Sequence, residues 1–148
     1  MTTHARFRFP DLLRAALIVL ALLLAACSAT GMKTDPPHGN WALASLGGAP
    51  RSGASLAFLD ADRAAGRGGC NGYSTTFQAG AAGELAFGPV AATKMACVDG
   101  DAMALETAFF EALAATRAYR HKPERRLQLL DGAGAVLAEF TPAPPDPS

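Results

Sequence analysis

Net charge is the first thing this sequence lacks. Thirteen basic side chains balance thirteen acidic ones over 148 residues. That balance excludes a nucleic-acid binder driven by bulk positive charge and an acidic disordered tail protein. Histidine is scarce: His4, His38 and His121 have no mutual ligand spacing, and no cysteine has a Cys-x-x-Cys companion. No metal site is therefore expected. The glycine-rich stretch Gly66 to Gly72 lacks the Gly-Lys-Ser/Thr ending and the following helix start that aim amides at a phosphate. Glu106 and Glu111 lie five positions apart on an expected helix and point in different directions, so the carboxylate pair needed for glycoside hydrolysis is not visible. The sequence holds no internal repeat, no catalytic set and no cofactor fingerprint.

Apolar residues, by contrast, make up half of the chain, and they are spread unevenly. From Ala15 to Ala26 every position is Ala, Leu, Ile or Val. Arg6, Arg8 and Arg14 precede this run, opposed only by Asp11. The run has the length of a secretory h-region and is too short for an ordinary membrane span. It ends in Leu24-Ala25-Ala26-Cys27, which resembles a bacterial lipobox. In such signals the peptide is cut before the cysteine, and the cysteine is acylated on sulfur and on its new amine. Several acyl chains on Cys27 give stable anchoring where one chain binds marginally. Ser28, in place of the Asp that retains such proteins in the inner membrane, resembles an outer-membrane address. The expected state is an outer-membrane lipid anchor with the domain facing the periplasm.

Removing residues 1–26 takes away three Arg and one Asp. Ten basic and twelve acidic residues stay, a net charge of −2 over 122 residues. That length suffices for one modest core. Residues 27–40 hold Gly31, Pro36, Pro37 and Gly39 without periodicity and read as a tether. Residues 141–148 hold Pro142, Pro144, Pro145 and Pro147 and read as a disordered tail, because repeated proline removes ladder donors. The folded domain is expected over 41–140.

Within it, Trp41 to Leu46, the Leu56/Phe58 segment, the Leu85/Phe87 segment, Tyr119 to Lys122, the Leu127/Leu129 segment and Val136 to Phe140 show the spacing of short strands. Gly66 to Tyr73 reads as an irregular, bulged strand. Val90 to Cys97 reads as a strand or a covering loop. Residues 101–117 contain neither Gly nor Pro, and Ala102, Leu105, Phe109, Ala112, Leu113 and Thr116 form one apolar stripe at helical spacing. Asp99 or Asp101 can cap its start, and Arg117 suits its C-terminal end. Asp131-Gly132-Ala133-Gly134 is a hairpin turn with glycines where positive φ is needed. The expected class is α+β: a mainly antiparallel, curled, barrel-like sheet packed around one principal helix.

These residues resemble one family. Trp41-Ala42-Leu43-Ala44-Ser45-Leu46-Gly47-Gly48 is similar to its opening element, Gly69-Cys70-Asn71-Gly72-Tyr73 to its Gly-Cys-Asn-x-Tyr signature, and Thr93-Lys94-Met95-Ala96-Cys97 to its Thr-x-Met-Ala-Cys signature. Glu106, Phe110 and Leu113 fit the pattern of its helix, and Leu127, Leu129 and Gly134 its closing hairpin. The family is the META domain, or HslJ-like, family. The resemblance implies a small α+β domain, often carried on bacterial lipoproteins, with heat-shock or antibiotic-tolerance associations for some members. It implies no established enzyme activity. Trp41, Gly69, Asn71, Tyr73, Thr93, Met95 and Glu106 are its structural motif residues here.

With Cys27 acylated, Cys70 and Cys97 form an even pair in an exported domain, which reads as a disulfide. The resemblance agrees, since both lie in its signatures. Closing that loop stabilises the fold by roughly 3 kcal/mol in the chain-entropy model. The alternatives are two free thiols, or a nucleophilic Cys70 beside Asn71 with His121 as base. Glu106, beside the apolar stripe, is expected to accept backbone hydrogen bonds or to meet Lys94. Arg117, Arg120, His121, Lys122, Arg125 and Arg126 form a basic run. It reads as a charged hairpin edge that discourages aggregation, or as a surface for anionic lipid heads or peptidoglycan. The expected role is non-enzymatic: membrane attachment through the N-terminal lipid, an envelope protein or peptide partner, no nucleic acid and no cofactor. A small-ligand or inhibitor module and a hydrolase using Cys70 or Glu106 are the alternatives.

Overall fold

The computed structural model describes residues 37–144 apart from Ala96. The leader, Cys27, the tether up to residue 36 and the tail from residue 145 lie outside the described residues. No helix among the described residues is long and apolar enough to cross a membrane.

The chain runs β1 (Gly39–Leu46), β2 (Ala49–Pro50), β3 (Ser55–Phe58), β4 (Arg63–Arg67), β5 (Gly72–Ala79), β6 (Leu85–Phe87), β7 (Ala91–Ala92), α1 (Gly100–Ala115), β8 (Ala118–Lys122), β9 (Arg126–Leu130) and β10 (Val136–Pro142). All pairings are antiparallel, in the order β6-β5-β4-β3-β1-β10-β9-β8, with β2 on β1 and β7 on β5. The two ends of this path meet. Leu85 N donates to Arg117 O at 3.1 Å, and Glu84 bridges Ala118. The sheet is thus a nearly closed barrel around one helix, the expected α+β class.

Alternation fills the barrel. Trp41, Leu43, Leu56, Phe58, Tyr73, Phe77, Leu127, Leu129 and Phe140 are buried from the strands. Leu105, Phe109 and Leu113 answer them from α1. Phe109 is at 0% exposure and meets Tyr73 and Phe140 edge-on, with ring centroids 5.8 and 6.2 Å away. Burying such a ring contributes on the order of 2–3 kcal/mol, so α1 is held by packing rather than by helix propensity. The side chain of Asp99 caps α1, accepting from Asp101 N at 2.9 Å.

The helix stops at Ala115, two residues before the expected end. The Arg117 amide donates instead to Leu130 O of β9 at 2.8 Å. The Arg117 guanidinium still serves the C-terminal end, donating to Ala114 O at 2.8 Å and Thr116 O at 2.7 Å. At the hairpin of Asp131 to Gly134 only Gly134 takes positive φ, +84°. Asp131 shapes the turn by accepting from Ala133 N and Ala135 N, both at 2.9 Å.

Two boundaries differ from expectation. Gly39 and Asn40, assigned to the tether, begin β1 opposite Phe58 and Ala57. Thr141 and Pro142, assigned to the disordered tail, pair with Ala42 and Trp41. Proline is tolerated there because it ends the strand, and the next donor, Ala143 N, reaches Asn40 O at 2.9 Å. Gly66 to Tyr73 is likewise not one bulged strand. It is a hairpin: Arg67 pairs with Gly72, and Gly68 N donates to Asn71 O at 2.9 Å across the turn.

Candidate functional site

The turn between β4 and β5 lies against α1, and glycine makes that approach feasible. A Cβ on Gly68 would lie 2.6 Å from the Phe110 ring, and one on Gly69 would lie 2.5 Å from Ala102 O. Gly69 also holds φ +147°, a conformation that favours glycine. A Cβ on Gly66 would collide with Ser55 O, the carbonyl that the Tyr73 hydroxyl reaches at 2.9 Å. The glycines therefore bring backbone to backbone; they do not form a phosphate cradle.

Asn71, at the end of this turn, is 3% exposed and joins three segments. Its backbone amide donates to Glu106 Oε2 at 2.7 Å and its Nδ2 to Glu106 Oε1 at 2.9 Å. Its Oδ1 accepts from Met95 N at 2.7 Å and from the Thr93 hydroxyl at 2.9 Å. Glu106, 7% exposed on α1, thus has both carboxylate oxygens engaged by Asn71, the backbone acceptor role expected of it. A buried carboxylate needs such partners, because unpaired burial is costly. Among the described residues no buried side-chain nitrogen or oxygen lacks a partner.

Cys70, next to Asn71, is disulfide-bonded to Cys97, with Cα atoms 6.1 Å apart. The bond closes the segment whose Thr93 and Met95 grip Asn71. In this state Cys70 has no thiol to act as a nucleophile. His121, offered as its base, packs on Trp41 and Tyr119 with ring centroids 5.9 and 5.7 Å away. Trp41 is buried, and its Nε1 donates to His38 O at 3.0 Å. Tyr73 is buried against Phe109 and Phe110, and burial raises the pKa of its phenol. Seven motif residues are thus placed: Asn71, Thr93, Met95 and Glu106 in one network beside the disulfide, Gly69 and Tyr73 against the same helix, and Trp41 farther along the barrel wall. Cys27 lies outside the described residues. No group of three His, Cys, Asp or Glu is placed to hold a metal ion among the described residues.

The motifs did not announce several other elements. Glu139 takes hydrogen bonds from Gln128 and Arg126, and these hold its carboxyl below the usual range. In return the hydrogen bond from Arg126 to Glu139 raises the guanidinium pKa. The basic run is divided: Arg117 serves α1, Arg120 donates to Gln128 Oε1 at 2.7 Å, and Arg126 pairs with Glu139. Met95, Val98 and Met103 are exposed apolar side chains near the start of α1. An apolar groove lies beside α1, lined by Leu46, Ala108, Ala112, Ala115 and Leu137. A second cleft lies beside Trp41 and the β8–β9 turn.

The META domain family model matches residues 33–144, more than half of the chain. Two solved structures share the fold. One, an NMR structure of a protein from Burkholderia xenovorans, is 22% identical with a TM-score of 0.54, covering 71% of this chain and 81% of that one. The other, also an NMR structure, is 22% identical with a TM-score of 0.53, covering 69% and 87%. At that identity the likeness shows the fold alone. No curated protein sequence matches this chain.

Proposed function

This chain belongs to the META domain family, and we propose that it is a bacterial envelope lipoprotein with a non-enzymatic binding or structural role under envelope stress. Cys27 carries the lipid, Ser28 directs it to the outer membrane, and the domain faces the periplasm, where it engages an envelope protein or peptide. The observation that carries the non-enzymatic part is the state of the motif side chains. Asn71, Glu106 and the two cysteines, the groups with catalytic potential, are spent on one another. An oxidising compartment suits the Cys70–Cys97 bond.

Two measurements test this. Labelled palmitate should enter the full chain and be absent from Cys27→Ser. In-cell crosslinking should then capture an envelope partner with the anchored chain above the level seen with the Cys27→Ser control. Equal labelling of both chains removes the anchor, and equal capture removes the envelope role.

The clefts favour a second reading, a small-ligand module. Each is concave, partly apolar and bordered by charge, as ligand sites are.

A further inference from the structure

The fold sorts the basic run that follows α1. Arg117, Arg120 and Arg126 are engaged by the helix end, Gln128 and Glu139. His121, itself packed on Trp41 and Tyr119, lines one cleft of about 510 Å³ together with Lys122, Glu124 and Arg125. Its remaining walls are largely apolar and include Trp41, Pro142 and Ala143. The charged residues Lys122, Glu124 and Arg125 come from the end of β8 and the β8–β9 turn, whereas Trp41, Pro142 and Ala143 come from β1 and from the end of β10 and beyond. Glu124, the one acid of the lining, lies 3.8 Å from Arg126, a cation outside the lining.

The turn that presents Lys122 and Arg125 breaks the usual chemistry. Glu124 and Arg125 hold φ of +65° and +57°. A hairpin of that shape takes Asn and Gly, which enter the left-handed region most readily. Side chains kept in sparsely populated conformations cluster at ligand sites, where the surrounding structure over-determines them.

We propose that this cleft binds a small organic anion with an apolar body. The carboxylate or sulfonate meets Lys122 and Arg125, the latter suited to a planar anion through its fork of donors. The aryl or alkyl body lies against Pro142, Ala143 and the edge of the largely buried Trp41 indole. The site rests on the ligand-binding reading of the domain and is independent of the lipid anchor.

Trp41 is the sole tryptophan of the chain, so its emission reports the cleft directly. The full chain is titrated with phenylacetate, with phenylacetamide as neutral isostere and 2-phenylethylammonium as cation. Phenylacetate should change Trp41 emission saturably, and the other two should bind at least about tenfold more weakly. Lys122→Glu with Arg125→Glu should weaken phenylacetate by about tenfold or more. If charge reversal prevents folding, Lys122→Gln with Arg125→Gln serves instead. Glu124→Gly, which adopts the same backbone without a Cβ penalty and removes the one carboxylate of the lining, should bind phenylacetate at least as tightly. A missing saturable response, equal responses to the three probes, or unchanged affinity in the Lys122/Arg125 variants overturns the site. Phenylacetate binding without envelope crosslinking would instead remove the envelope role and leave the site standing.

Discussion

Asn71 and Glu106 are 35 residues apart and share two hydrogen bonds in a buried position, one from the Asn71 backbone and one from its side chain. That bidentate match ties the β4–β5 turn to α1. The opposite end of the same amide takes Met95 N and the Thr93 hydroxyl. One side chain thus ties two segments with little regular structure of their own, the β4–β5 turn and Thr93 to Met95, to α1.

Removing either partner should be expensive. Glu106→Gln puts an NH2 group where two donors already point, leaving a buried donor without an acceptor. It should cost about 2–3 kcal/mol. Asn71→Ala keeps the backbone bond to Glu106 Oε2 but removes the partner of Glu106 Oε1, the Thr93 hydroxyl and the Met95 amide, and should cost about 3 kcal/mol. Urea unfolding of both single variants and the double variant checks this. The double loss should fall clearly short of the sum; additive losses would mean the two residues act separately.

Close approach makes a second prediction. Gly69→Ala places a Cβ against Ala102 O at a φ of +147°. It should destabilise by about 2–4 kcal/mol through overpacking and backbone strain. Gly132→Ala, at a turn position with negative φ and an ordinary 3.7 Å neighbour in Arg117, should shift the urea midpoint little. Equal effects at the two sites would argue against the tight turn-to-helix packing.

The motifs were legible in the sequence, and so were most of the strands and the helix, because spacing of two and spacing near 3.6 report which face is buried. The network was not. Periodicity places Glu106 beside the stripe of Leu105 and Phe109, but it does not say that an asparagine from a distant turn will cover it. Gly66 to Tyr73 looked like a bulged strand because glycine serves bulges and turns alike. The turn at Glu124 and Arg125 carried no glycine to mark its left-handed backbone. Thr141 and Pro142 looked like tail because proline cannot donate to a ladder, although at a strand's end that donor is not needed.

Acid should weaken the domain through Glu139. Hydrogen bonds from Gln128 and then Arg126 lower its carboxyl pKa in the folded state. A depressed folded value means stability that is fully present above the unfolded value of about 4.3. It is lost as pH falls below that value and through the folded one. Glu139→Gln should therefore flatten the acid limb of stability against pH, read as urea midpoints across that window. Parallel acid limbs for the two chains would show that Glu139 gains nothing from its partners.

The disulfide acts on the same network from outside. It closes the 27-residue separation between Cys70 and Cys97, so Cys70→Ser with Cys97→Ser should lose about 3 kcal/mol, chiefly by freeing the unfolded chain. The loss should also be local. Beyond the two-residue β7, the segment from Thr93 to Cys97 is held by Thr93 N, which donates to Gly72 O at 3.0 Å, and by its bonds to Asn71, so the Met95 amide should gain hydrogen exchange more than the amides of Phe109 or Leu113 in α1. Thiol titration provides the direct check. A Cys27→Ser chain, denatured without reductant, should yield no free thiol, and a yield of two would remove the bond and its share of the stability together.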